Sequence, residues 1–188
     1  MKNKLIWCLA SIALLGVAAC QQKAAEPAAV ASPFLLTASI HDLMLSEVDP
    51  AADYLWESVS IVISDKGTDK HQPHTDEEWA EARHRAITLI EATNLLSMPG
   101  RRVAEEGQKL QDEGQPGILT SADMQKLIDA DHQSFVLLAH GLHDAGMLAL
   151  KAIDAKDANA LLESGGVIDA ACEACHLKYW YPNQGVPQ

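Results

Sequence analysis

The chain has 188 residues, of which 48% are hydrophobic and 21% charged, with 11 Gly and 8 Pro. These proportions exclude a collagen-like repeat, a low-complexity polymer and a disordered acidic tail, and the length fits one domain or two small ones. Lys and Arg number 14 against 26 Asp and Glu, for a formal net charge of -12, which argues against a nucleic-acid partner and favours a basic one.

The first element is an export signal. Lys2 and Lys4 precede the apolar run Leu5–Leu15, which leads to the small-residue junction Val17-Ala18-Ala19-Cys20. The apolar run is shorter than the ~20 residues that a membrane-spanning helix needs. The junction resembles a bacterial lipobox, in which cleavage precedes the cysteine. Residues 1–19 then form a lipoprotein signal peptide, and Cys20 carries the lipid that holds the chain to a membrane. Gln21, in place of Asp, implies the outer membrane by the same resemblance. Residues 20–33, rich in Ala, Glu and Pro, read as a lipidated N-terminus and flexible tether, and 34–188 as the folded domain.

From Ile40 the apolar residues Leu43, Met44, Val48, Ala52, Leu55, Val59 and Val62 recur at steps of three or four, which predicts a first helix. Pro50 is expected to kink or break it, with Asp49 as the cap of the restart. Ser64–His74 reads as a polar loop. Thr75 and Glu78 form a capping-box pattern ahead of a second stripe from Trp79 to Leu96, ended by Met98-Pro99-Gly100. Arg101–Gly117 is a long connection. Ser121 is expected to cap one long third helix running from Met124 to Ala152. A fourth begins at Asp157 or Ala158, carries Leu161, Ile168 and Tyr179, and stops at Pro182, with a bend expected at Gly165-Gly166. No strand alternation stands out. The predicted fold is all-α, an antiparallel four-helix bundle in up-down-up-down order.

Cys172-Glu173-Ala174-Cys175-His176 is a C-x-x-C-H sequence, the pattern of c-type haem attachment. On a helix these positions are related by i, i+3 and i+4, so two sulfurs and one imidazole leave one face. The expected cofactor is one haem c, with Cys172 and Cys175 as thioethers and His176 as the proximal iron ligand. A disulfide across three helical residues would staple almost nothing. A thioredoxin-like pair belongs at a helix N-terminus, and a zinc site would need a second ligand pair.

A secreted helical chain with this motif in its last helix, near the C-terminus, resembles the cytochrome c′-type (class II) c cytochromes. The resemblance covers roughly Leu35–Pro182, and its specific residues are Cys172, Cys175 and His176. It implies that the opposite haem face meets the first helix, where a Met binds iron in some members and an apolar residue leaves the position open in others. Met44 occupies that stretch, and His41 is the rival ligand. The bundle topology also brings Met98, Met124 and His132 to the haem end, and sends His84, His140, His143 and Met147 to the other. Arg101 and Arg102 are candidates to pair with the haem propionates, and Tyr179 to pack on the ring with Trp180 and Tyr181 nearby. Trp56 and Trp79 are expected to meet in the core of the far end.

The function so read is a lipid-anchored, periplasm-facing carrier of single electrons, with no catalytic constellation. It would meet a basic or complementary redox partner. The alternatives are a gas-binding (nitric oxide) protein with an open distal face, and a haem-free helical lipoprotein. A homodimer through the first helix fits the resemblance, though no separate apolar stripe demands it.

Overall fold

A computed structural model describes residues 34–182 of the chain. The expected signal peptide, Cys20 and the whole of the tether lie outside the described residues. The elements in order are α1 (Ile40–Leu43), a π-helical stretch (Met44–Val48), α2 (Asp49–Glu57), β1 (Ser60–Ser64), β2 (Gly67–His71), α3 (Asp76–Leu96), α4 (Ser121–Ala130), α5 (His132–Asp154) and α6 (Ala158–Tyr179). All of them belong to one compact unit that begins at Leu36.

Ser39 starts α1 with a capping box. Its hydroxyl accepts the Asp42 amide at 3.0 Å, and its own amide donates to the Asp42 carboxylate at 3.0 Å. The next orphan amides, Ile40 and His41, donate to the carbonyls of Arg102 and Val103 at 2.8 and 2.9 Å. The segment after α3 thus acts as a strap across the start of α1.

The α-helix is interrupted ahead of Pro50 and restarts at Asp49, as expected, but the interruption is a π-helical stretch and not a break, and Val48, not Asp49, stands at the N-cap. The Asp49 amide reaches the carbonyl of Met44, five residues back. Proline has no amide to donate, and its ring crowds the carbonyl four residues earlier; one widened turn just before it removes that conflict and keeps the helix continuous.

A second departure is the hairpin. Ser60–Ser64 pairs antiparallel with Gly67–His71 across the two-residue loop Asp65-Lys66, in the register Ser60↔His71 to Ser64↔Gly67. Val62 therefore leaves the helix, and much of the expected polar loop is strand. Three consecutive β-branched residues, Ile61-Val62-Ile63, favour extended backbone over helix, and Gly67 supplies the positive φ of 125° beside the turn.

The capping box at Thr75 and Glu78 forms as read, with reciprocal bonds of 3.1 and 3.0 Å. The third helix is divided in two. Thr120, not Ser121, caps α4, and Asp131 leaves helical geometry at φ -149° and ψ 69°. Its carboxylate accepts the Ser134 amide at 3.1 Å and so starts α5. Aspartate competes for backbone amides in this way, which makes it a good cap and a poor interior residue. α6 passes through Gly165-Gly166 without interruption. There the missing Cβ makes room for Trp56: a Cβ on Gly165 would sit 3.0 Å from the indole, whose Nε1–H donates to the Gly165 carbonyl at 3.0 Å. Trp56 is thus partly exposed against α6, while Trp79 is buried.

The fold is mostly helical with one small two-stranded sheet. α2 packs on α3 and α6, α3 on α5, and α5 on α6. Between them lie the fully buried side chains of Leu55, Leu89, Leu161 and Ile168. α3 and α5 approach closely at Gly146, where an added Cβ would come within 2.8 Å of Ile90.

Candidate functional site

The last turns of α6 carry Cys172, Cys175 and His176, followed by Tyr179 and Trp180. Cys175, His176, Tyr179 and Trp180 form one wall of an apolar cavity. The facing wall is Ile40, His41, Met44 and Leu45 from the first helical segment. Asp49 of α2, Met124 and Ile128 of α4, Phe135 of α5, and Val103, Leu110 and Gln111 of the connection complete it. The cavity has a volume of ≈ 140 Å³ and opens to solvent at its mouth. A smaller adjoining hollow is bordered by Cys172, Cys175 and His176, again with Met44 and Asp49 among its other walls.

Burial pushes the Cys172 thiol up to about 11, helped by the negative charges of Asp49 and Asp169, and the Cys175 thiol up to about 12. At neutral pH both are thiols almost entirely, which does not suit disulfide exchange, since that needs thiolate. Burial also holds the His176 imidazole below its ordinary value, against the opposing pull of Asp49 and Glu173. It is therefore mainly neutral at pH 7, the form that binds a metal.

Three buried side-chain polar atoms have no hydrogen-bond partner among the described residues: His41 Nδ1, Tyr179 Oη and Trp180 Nε1. All three residues line the one cavity. Buried polar atoms are almost always paired, so three exceptions on residues lining a single apolar hollow single it out as the candidate site. The haem c implied by the C-x-x-C-H motif fits this donor set, with two thiols and a neutral imidazole on one helix face and a thioether and a second imidazole opposite. Among the described residues no three His, Cys, Asp or Glu side chains converge to hold a bare metal ion.

Around His176 the aromatic side chains are close. Trp180 lies edge-on at 5.1 Å between ring centroids and Tyr181 at 5.9 Å. Tyr181 donates to Glu173 at 2.6 Å. Tyr179, expected against the ring, lines the cavity and meets Phe135 edge-on at 5.4 Å.

The two arginines expected at the propionates are elsewhere. Arg101 is only 6% exposed, and its guanidinium donates to the carbonyls of Leu95, at 2.8 Å, and Ala38. Its remaining arm reaches Met98 Sδ at 3.4 Å. Arg102 pairs with Glu105 at the surface. Neither lines the cavity, because Arg101 is claimed by the end of α3 and the approach to α1, and Arg102 by Glu105.

Of the other residues expected at this end, Met124 lines the cavity. Met98 is held by Arg101, and His132 packs on Phe135 at 6.3 Å. His84 faces Glu81, His143 faces Asp144, and His140 is exposed. Asp49, Leu110 and Gln111 were not legible as wall residues. Asp49 reads as a cap, and the other two lie in an aperiodic stretch that offers no signal. A scan against protein-family models and searches of curated proteins and of solved structures each return no match.

Proposed function

We propose that the chain is a lipid-anchored c-type cytochrome of the cytochrome c′-like kind, an electron carrier and not a catalyst. The observation that carries this reading is the shared cavity: Cys175 and His176 of the C-x-x-C-H motif, His41 and Met44, and the residues that carry three unpaired buried polar atoms all line one apolar hollow, with Cys172 at the adjoining one. In this reading Cys172 and Cys175 hold haem c as thioethers, and His176 binds its iron. When bound, the haem supplies a reversible one-electron couple.

The chain's own residues then do the rest. Met44 is the second ligand in this proposal, since it borders both hollows beside His176 whereas His41 borders one. Phe135, Ile128 and Met124 exclude water and keep the local dielectric low. The four mutually packed segments, counting α1–α2 and α4–α5 as one each, are read as an antiparallel four-helix bundle. The closed cycle of contacts from α2 through α3, α5 and α6 back to α2 supports that arrangement. The acidic surface suits brief encounters with a basic redox partner, and the Cys20 lipid would place the domain on the periplasmic side of the outer membrane.

The test is expression in a host competent for cytochrome maturation. The expected product is coloured, retains peroxidase staining on a denaturing gel, and loses it in Cys172→Ala/Cys175→Ala. Colourless wild-type protein would refute the proposal. Met44→Ala is expected to change the optical and magnetic spectra and to speed carbon monoxide binding. Unchanged spectra would remove Met44, and would give the second position to His41 or to a gas ligand.

A further inference from the structure

β1 is an exposed apolar strand. Ile61, Val62 and Ile63 are 41, 57 and 80% exposed, and every residue of β2 is exposed as well, so neither face of the hairpin is packed. A two-stranded hairpin open on both faces is marginal in water, and a third or fourth strand is what normally stabilises it. Native edges are usually blunted by charge or proline. β2 carries Asp69 and Lys70, whereas β1, Ser60-Ile61-Val62-Ile63-Ser64, carries no charge and no proline.

The β1 sequence is also a palindrome about Val62. Laid antiparallel against itself on a two-fold axis, it pairs Val62 with Val62, Ile61 with Ile63 and Ser60 with Ser64. The backbone is in phase for this. Ser64 and Gly67 close a two-residue loop and so exchange their backbone hydrogen bonds. By alternation Ser60, Val62 and Ser64 bond inward to β2, which leaves the amides and carbonyls of Ile61 and Ile63 on the free edge. Those are the groups that a symmetric partner strand would bond, while the two Val62 residues meet as a non-hydrogen-bonded pair.

We infer that β1 is a homodimerisation edge, at which two copies join their hairpins into one four-stranded antiparallel sheet. One face of the joint would gather four isoleucines and the other two valines. The charged β2 edges end the sheet at four strands. Three side chains per copy cannot supply the roughly 1,200 Å² of a standard interface, so the dimer is weak. The like net charge of -12 on each copy opposes it and salt strengthens it.

Single cysteines test the register. Opposed Cα atoms in a non-hydrogen-bonded pair lie about 4.5 Å apart, within disulfide reach. Two copies of residue 61 in this register are about 8 Å apart, beyond it. With mild oxidant at high salt, Val62→Cys is expected to form a disulfide dimer at least tenfold faster than Ile61→Cys, with wild type as the control for the native thiols. Sedimentation should show wild type self-associating as concentration rises, and Val62→Lys, which opposes two like charges, staying monomeric. Equal cross-linking of the two cysteine variants, or wild type monomeric at millimolar concentration, overturns the inference. So does flotation of lipid-free wild type, but not Val62→Lys, with phosphatidylethanolamine–phosphatidylglycerol vesicles, which would assign the patch to a bilayer.

Discussion

Arg101→Ala removes the clamp between the end of α3 and the start of α1. The guanidinium is buried, and desolvation lowers its pKa from the ordinary arginine value, yet it donates to two main-chain carbonyls from separate segments. A hydrogen bond from a charged donor contributes about 1.5–3 kcal/mol, and a carbonyl left buried without it carries a desolvation cost. Two such bonds give an expected loss of about 3–5 kcal/mol. For a domain of this size that is a fall in Tm of roughly 10 °C. Urea titration followed by tryptophan fluorescence measures it. Arg101→Lys should recover only part, because an ammonium cannot fork between two fixed carbonyls. A loss below about 1 kcal/mol, together with weakened cofactor retention, would refute the reasoning and restore Arg101 to the role of holding an anion in the cavity.

Ser39→Ala removes one half of the α1 capping box and should lower stability by about 1 kcal/mol in the same titration. Two glycines of α5 should respond with opposite signs. Gly141→Ala meets open space and should stabilise by about 1 kcal/mol, whereas Gly146→Ala pushes on Ile90 and should lose about that much or more in thermal melts. Acid should destabilise the fold through carboxyls held below their ordinary values. These are Asp76 by Lys156, Glu78 by the His74 amide, Asp123 by Lys126 and Asp131 by the Ser134 hydroxyl. The unfolded chain binds more protons there, so this stability is complete above about pH 4.5 and drains away as pH falls through the folded values. A Tm that does not change between pH 6 and pH 2.5 would contradict it.

Helix existence was legible because it rests on local rules. The stripe from Trp79 to Leu96 has the helical period, and Thr75 with Glu78 fixes its start without help from the rest of the fold. Breaks were less legible, because two opposite errors share one cause. Pro50 reads as a kink or a break, yet widening a single turn absorbs it. Asp131 looked like an interior residue, yet its carboxylate finds the Ser134 amide and ends the turn before it. Each outcome depends on which backbone groups can be satisfied nearby, and the apolar period does not record that. The hairpin was missed because Val59 and Val62 continue the helical spacing by coincidence, while the β-branched run Ile61-Val62-Ile63 favours strand. At the site, the placement of Cys172, Cys175 and His176 together on one helix was legible from their spacing. The unpaired atoms of His41, Tyr179 and Trp180 were not, since hydrogen-bond satisfaction exists only once distant segments meet.

The two faces of the cavity differ in how they are supported. Cys175 and His176 stand on α6, a 22-residue helix packed along α5. His41 and Met44 stand on a first turn whose amides are bonded to the carbonyls of Arg102 and Val103 and whose approach at Ala38 is pinned by Arg101. A helix end frays unless its orphan amides are satisfied, so this face keeps its place only while the strap holds. The widened turn at Met44 adds to that dependence, because π-helical hydrogen bonding is a rare and local arrangement. Loosening the strap by Arg101→Ala should therefore disturb the Met44 side under conditions where the C-x-x-C-H side is still in place. The order of loss, Met44 side first and α6 side last, follows from which helix depends on its neighbours.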